Sequence, residues 1–103
     1  MARKTMETLT EAMFYVLMAL RTGPMCGIEI ASTIDTLTEN RVNIGPATLY
    51  TVLGRFEKEG YIEEIEVSGR KRTYRITKIG LNAYQEEIER LKRCLLEDRK
   101  STV

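Results

Sequence analysis

The 103-residue chain has no histidine and no tryptophan, and only two cysteines and two prolines. Without histidine it lacks the usual general base, the usual proton shuttle and the commonest metal ligand. That argues against an enzyme, although carboxylates and lysines can perform acid–base chemistry. Cys26 and Cys94 stand far apart with no CxxC spacing, too few ligands for a metal site and no basis for a disulfide framework. They read as free thiols in a reducing compartment, and no cofactor is expected. No long apolar run is present: the longest, Ala12 to Leu20, is about half of what a membrane span needs. Arg3-Lys4 ahead of this run mimics a secretion signal, but Glu7 and Glu11 interrupt it. No A-x-A cleavage pattern follows, and Met25 is too large to precede a lipidated Cys26. The expected setting is cytoplasmic, without a membrane partner.

An excess of one charge is also missing, with a net charge of +1. The distribution is less even. Residues 41–80 carry eight basic and five acidic side chains, and Arg70-Lys71-Arg72 is the one run of three. On its own such a run is as readily a solvated loop as a binding element. Hydrophobic residues at 43% and charged residues at 30% are ordinary for a globular chain, and the length fits one domain with a modest core.

Thr8-x-x-Glu11 has capping-box spacing and predicts a first helix through Leu20, ending before Gly23-Pro24. Its apolar residues fall on every side, so it is either central to the core or covered partly by a second subunit. A second helix fits Gly27 to about Thr38, with Ile30, Ile34 and Leu37 on one buried face. Asn40 to Ile44 alternates polar and apolar, as an extended connector would. Pro46 suits the first position of a third helix, and Gly60 its left-handed end. At about 100° per residue, Leu49, Val52, Leu53 and Phe56 share one side. Ala47, Thr51, Gly54 and Lys58 centre the other, flanked by Tyr50 and Arg55. Glycine costs a helix about 1 kcal/mol relative to alanine. Gly54 is therefore either an indifferent surface glycine or a point of close approach.

A hairpin follows, with Ile65 and Val67 on one strand face and Tyr74 and Ile76 on another. A loop of Ser68-Gly69-Arg70-Lys71 would set Ile65 opposite Tyr74 and Glu64 opposite Arg75. A tighter Ser68-Gly69 turn keeps the same faces. Thr77 can cap a last helix, along which Leu81, Tyr84, Ile88, Leu91 and Leu95 make a heptad-like seam too long for this chain to cover. Arg99 to Val103 read as a frayed end.

The order is that of a winged helix-turn-helix: a mainly α fold with a small β-hairpin and a C-terminal dimerisation helix. Residues 1–78 would form the DNA-binding domain and 79–103 the dimerisation helix. The major groove of B-DNA admits one α-helix, and basic residues on a hairpin tip supply phosphate contacts. Double-stranded DNA and a second copy of the chain are the expected partners. A winged-helix module serving protein–protein assembly is the alternative, although it would not need the basic tip.

Ala47-Thr48-Leu49-Tyr50, Leu53-x-x-Phe56-Glu57-x-x-Gly60-Tyr61-Ile62 and Arg72-x-Tyr74-x-Ile76-Thr77-x-x-Gly80 together resemble the PadR-like transcriptional regulators, over about Leu9 to Arg93. The single C-terminal helix resembles the family's small subfamily. The resemblance implies a homodimeric repressor on a palindromic operator, in some relatives relieved by a small-molecule effector held at the dimer interface. It carries Thr48 and Tyr50 to helix positions near DNA, and Arg70, Lys71 and Arg72 to the wing. With these come Ala47, Thr51, Gly54, Arg55 and Lys58 from the helical phase. The family has Tyr74 too, but the strand register points it into the wing's apolar face. Two departures stand out. Met25-Cys26-Gly27-Ile28 replaces a tyrosine-rich start to the second helix, where Ile28 is expected to pack. No tryptophan is available for a stacking pocket near Leu91, so Phe14 and Tyr15 would line any pocket or simply pack in the core or dimer.

Overall fold

A computed structural model describes residues 9–101. The order is α1 (Glu11–Arg21), β1 (Met25–Cys26), α2 (Gly27–Leu37), α3 (Pro46–Glu59), β2 (Ile62–Ser68), β3 (Lys71–Ile76) and α4 (Lys78–Ser101). The strands form one antiparallel sheet, ordered β1-β3-β2. This is the winged helix-turn-helix with a long C-terminal helix.

The helices start and stop for local reasons. Thr10 caps α1, its hydroxyl accepting from the Met13 N–H at 3.1 Å. The expected cap at Thr8 lies outside the described residues. Pro46 opens α3 behind Gly45, and Gly60 closes it at φ +80°, a conformation side chains with a Cβ avoid. Thr77 joins three elements. Its hydroxyl lies 2.6 Å from the Gly60 carbonyl oxygen and accepts the Gly80 N–H at 3.1 Å, capping α4. That helix stays regular to Ser101, so Arg99 to Ser101 are not frayed. Thr102 and Val103, the rest of the expected frayed end, lie outside the described residues.

The core is built from the inward faces: Val16, Leu17 and Leu20 of α1, Ile30 and Ile34 of α2, Leu53 and Phe56 of α3, and Tyr61, Ile62 and Tyr74 around the sheet. The buried face of α3 is the one its spacing predicts. Three expectations fail. Leu37 is 48% exposed, because α2 ends there and Thr38 turns the chain away from the core. Ile28 does not pack; at 80% exposed it points outward from the first turn of α2. Residues 38–40 form a turn, with Glu39 and Asn40 at positive φ, before the extended stretch in which Val42 and Ile44 face the core.

The hairpin register is half as expected. From the tip inward, Ser68 pairs with Lys71, Val67 with Arg72 and Glu66 with Thr73. The loop shrinks to Gly69-Arg70, with Gly69 at φ +62° in the first central position, as a type II′ turn requires. A bulge between Glu64 and Glu66 then leaves Ile65 unpaired and shifts the base by one residue, so Glu64 faces Tyr74 and Glu63 faces Arg75. Ile65 and Val67 are consequently exposed, and Tyr61 and Ile62 anchor the sheet instead. Tyr74 is buried, as its phase requires. Strand β1 was not legible in the sequence, since two residues carry no alternation.

Candidate nucleic-acid interface

Ala47, Thr48, Thr51, Gly54, Arg55 and Lys58 all lie on the exposed face of α3. Nothing approaches within 4 Å of where a Gly54 side chain would begin. Arg70, Lys71, Arg72 and Tyr50 line a cleft of about 430 Å³ together with Cys26, Gly27, Ile28 and Glu29 at the start of α2. Tyr50, at the flank of the outer face of α3, is the residue that joins the basic tip in this cleft. Ile28 and Glu29 were not anticipated there, because the start of α2 meets the wing only through the β1–β3 pairing.

The electrostatics are mixed. Arg72 is paired with Glu64 at 3.1 Å, and Arg75 with Glu63, while Arg70 and Lys71 make no ion pair among the described residues. Exposed pairs of this kind contribute little to stability, so Arg72 can exchange its carboxylate for another anion at small cost. The Glu29 carboxylate accepts the Cys26 N–H at 2.9 Å. That hydrogen bond holds its pKa below the ordinary value, with nearby Lys71 adding to the shift. Burial pushes the Tyr74 hydroxyl up, so it stays protonated at neutral pH.

The seam residues of α4 divide into two groups. Tyr84 is only 4% exposed and stacks on Phe14 at 5.2 Å, with the Arg21 guanidinium 5.4 Å from its ring, so it serves its own subunit. Ile88 is half-buried. Leu81, Leu91 and Leu95 remain exposed, joined by Leu96, which the heptad pattern passed over. Glu87, the one buried charged residue described, is paired with Arg90 at 2.6 Å. Among the described residues no cluster of Cys, Asp and Glu could hold a metal ion, and no helix is long and apolar enough to cross a membrane. Both cysteines are free, Cys26 buried and Cys94 exposed.

Comparison with known proteins agrees with this architecture. A transcriptional regulator from Clostridium thermocellum superposes with a TM-score of 0.77 at 30% identity, covering 88% of this chain and 92% of that one. PadR of Bacillus subtilis in complex with operator DNA shares the fold, with a TM-score of 0.68 at 20% identity over 77% of this chain and 48% of that one. In sequence the chain is 31% identical over 83 residues to an uncharacterized 37.1 kDa protein in transposon TN4556 of Streptomyces fradiae, which is 81% of this chain. It is 39% identical over 66 residues, or 60% of this chain, to an uncharacterized protein of Lysinibacillus sphaericus. The chain spans 24% and 60% of the lengths of these two curated relatives. Residues 16–86 match the transcriptional regulator PadR-like family, from within α1, through the helix-turn-helix and wing, and into α4. With more than half its length matched, the chain belongs to the PadR-like family of transcriptional regulators.

Proposed function

We propose that the chain is a sequence-specific DNA-binding repressor that acts as a homodimer on a palindromic operator. The observation that supports this reading is the exposed outer face of α3, whose flanking Tyr50 shares a cleft with the basic wing tip. A helix face of small and polar residues can enter the major groove, while Arg70 and Lys71 neutralise flanking phosphates. Residues 1–78 supply this surface and residues 79–103 the dimerisation helix.

The test is fluorescence anisotropy on DNA from upstream of its own gene, over a range of salt. For B-DNA, log K falls with log salt at about 0.9 per phosphate neutralised. Replacing Arg70, Lys71 and Arg72 together with alanine is expected to flatten the slope by about 4 to 5 units, counting both wings of the dimer, with little change in sequence preference. Arg72 contributes least, since it must first leave Glu64. An unchanged affinity and slope would remove the wing from the interface. Failure of the wild-type chain to bind DNA at all would favour the protein–protein module.

The dimer reading rests on apolar surface that one subunit leaves open. Phe14, Tyr15 and Met18 on α1 are half-buried, Leu91 of α4 lines a cleft with Phe14 and Tyr15, and Leu95 and Leu96 are exposed further along α4. Leu95 is 68% exposed and holds up nothing within its own subunit. Leu95→Asp should therefore fold normally by circular dichroism, yet sediment as a monomer. Burying its unpaired charge between subunits would cost several kcal/mol. A Leu95→Asp protein that remained dimeric would place the interface elsewhere. The cleft of about 310 Å³ between α1 and α4, lined by Phe14, Tyr15, Arg90 and Leu91 among others, is the place open to a small-molecule effector in this reading.

A further inference from the structure

Gly27 opens α2, and Tyr50 lies in the second turn of α3. A β-carbon on Gly27 would stand 2.7 Å from the Tyr50 hydroxyl oxygen and 3.2 Å from the ring carbon that bears it. Gly27 is buried and has no positive φ, so its backbone does not call for glycine. What the glycine supplies is space, and the tip of Tyr50 occupies it. The same tyrosine is half exposed and lines the cleft with Arg70, Lys71 and Arg72. Its hydroxyl has no hydrogen-bond partner among the described residues.

We infer that Gly27 is a positioning residue, seating the Tyr50 hydroxyl at the mouth of the wing cleft so that it donates to a phosphate oxygen of bound DNA. This rests on the DNA-binding reading above. A phosphate fits better than a base edge for two reasons. Tyr50 flanks the outer face of α3 rather than centring it, and the cleft it lines holds the cations Arg70, Lys71 and Arg72 against one carboxylate, Glu29. A neutral hydroxyl donating to a charged oxygen makes a charge-assisted hydrogen bond, shorter and stronger than a neutral one.

The experiment is a double-substitution cycle on the full chain. In Gly27→Ala the displaced atoms are the far end of a flexible side chain, so the fold should tolerate the change. Thermal denaturation is expected to be unchanged or slightly improved, since alanine reduces unfolded-chain entropy. Operator affinity of the dimer should fall about 100-fold, the worth of one hydrogen bond to a charged group in each subunit, with the salt slope unchanged. Tyr50→Phe should lose the same factor, and the combined variant no more than either alone. The Tyr50 ring resonances of the free protein should also shift in Gly27→Ala. Wild-type affinity in Gly27→Ala, or losses that multiply in the combined variant, would overturn the positioning role. A wild-type chain that binds no DNA would overturn the underlying reading, and the phosphate contact with it.

Discussion

Gly80→Ala is expected to destabilise the protein by about 3 kcal/mol, the upper end for an overpacked site. In a domain of this size that corresponds to a fall in Tm of roughly 12–24 °C. A β-carbon on Gly80 would lie 2.2 Å from the Tyr61 carbonyl oxygen and 2.9 Å from Cγ1 of Ile76. The first obstacle is backbone, so it cannot swing aside as a side chain would. That carbonyl also accepts the Thr77 N–H at 2.9 Å. Relief would move the first turn of α4 away from the start of β2, straining the Thr77 contacts with Gly60 and Tyr61. The gain in helix propensity, about 1 kcal/mol, does not offset this. Urea denaturation with a thermal melt provides the measurement. A melting temperature within a few degrees of wild type would mean that α4 docks loosely enough to absorb a methyl group.

Gly54→Leu is expected to produce the opposite pattern, a sound fold with lost function. No atom lies within 4 Å of the added β-carbon, so the fold has no reason to resist it. Leucine is the better helix former by up to about 1 kcal/mol, and the melting temperature should hold or rise. Bound to DNA, however, the side chain would sit in the middle of the face that enters the groove. There it would hold α3 off the base edges and leave only sequence-independent phosphate contacts. Specific complexes are typically about 10³-fold or more tighter than non-specific ones, so operator affinity should fall by at least about 100-fold. For a dimer, the operator is an inverted repeat with half-sites about one helical turn apart or a multiple of it. A Gly54→Leu protein that melts normally and binds that operator as tightly as wild type would show that this face stays outside the groove.

The two glycines carry different amounts of their meaning in the sequence. Gly54 could be assigned to the outer face from helical phase alone, because Leu49, Val52, Leu53 and Phe56 fix which side of α3 is inward. Gly80 was visible only as part of the Arg72-x-Tyr74-x-Ile76-Thr77-x-x-Gly80 pattern. Its reason, the approach of the Tyr61 carbonyl, comes from a residue 19 positions earlier. The wing behaves similarly. The pairing at its tip follows the register of a loop spanning Ser68 to Lys71, but the matching of Ile65 with Tyr74 and Glu64 with Arg75 fails at the bulge. Alternation in a single strand says nothing about an extra residue opposite its partner.

Signals that act within one or two turns of chain were therefore legible residue by residue. Pro46 and Gly60 set the ends of α3, and Arg70-Lys71-Arg72 the charge at the wing tip. Each depends on local dihedral preference or on charge, which a residue carries wherever it goes. Contacts between distant segments were decided by packing. Tyr84 turned from the seam to stack on Phe14, Ile28 was left facing outward, and Tyr50 was lodged against Gly27 beside the wing. Helical phase orders side chains around an axis, but which of them are buried depends on the neighbour the fold brings to that face.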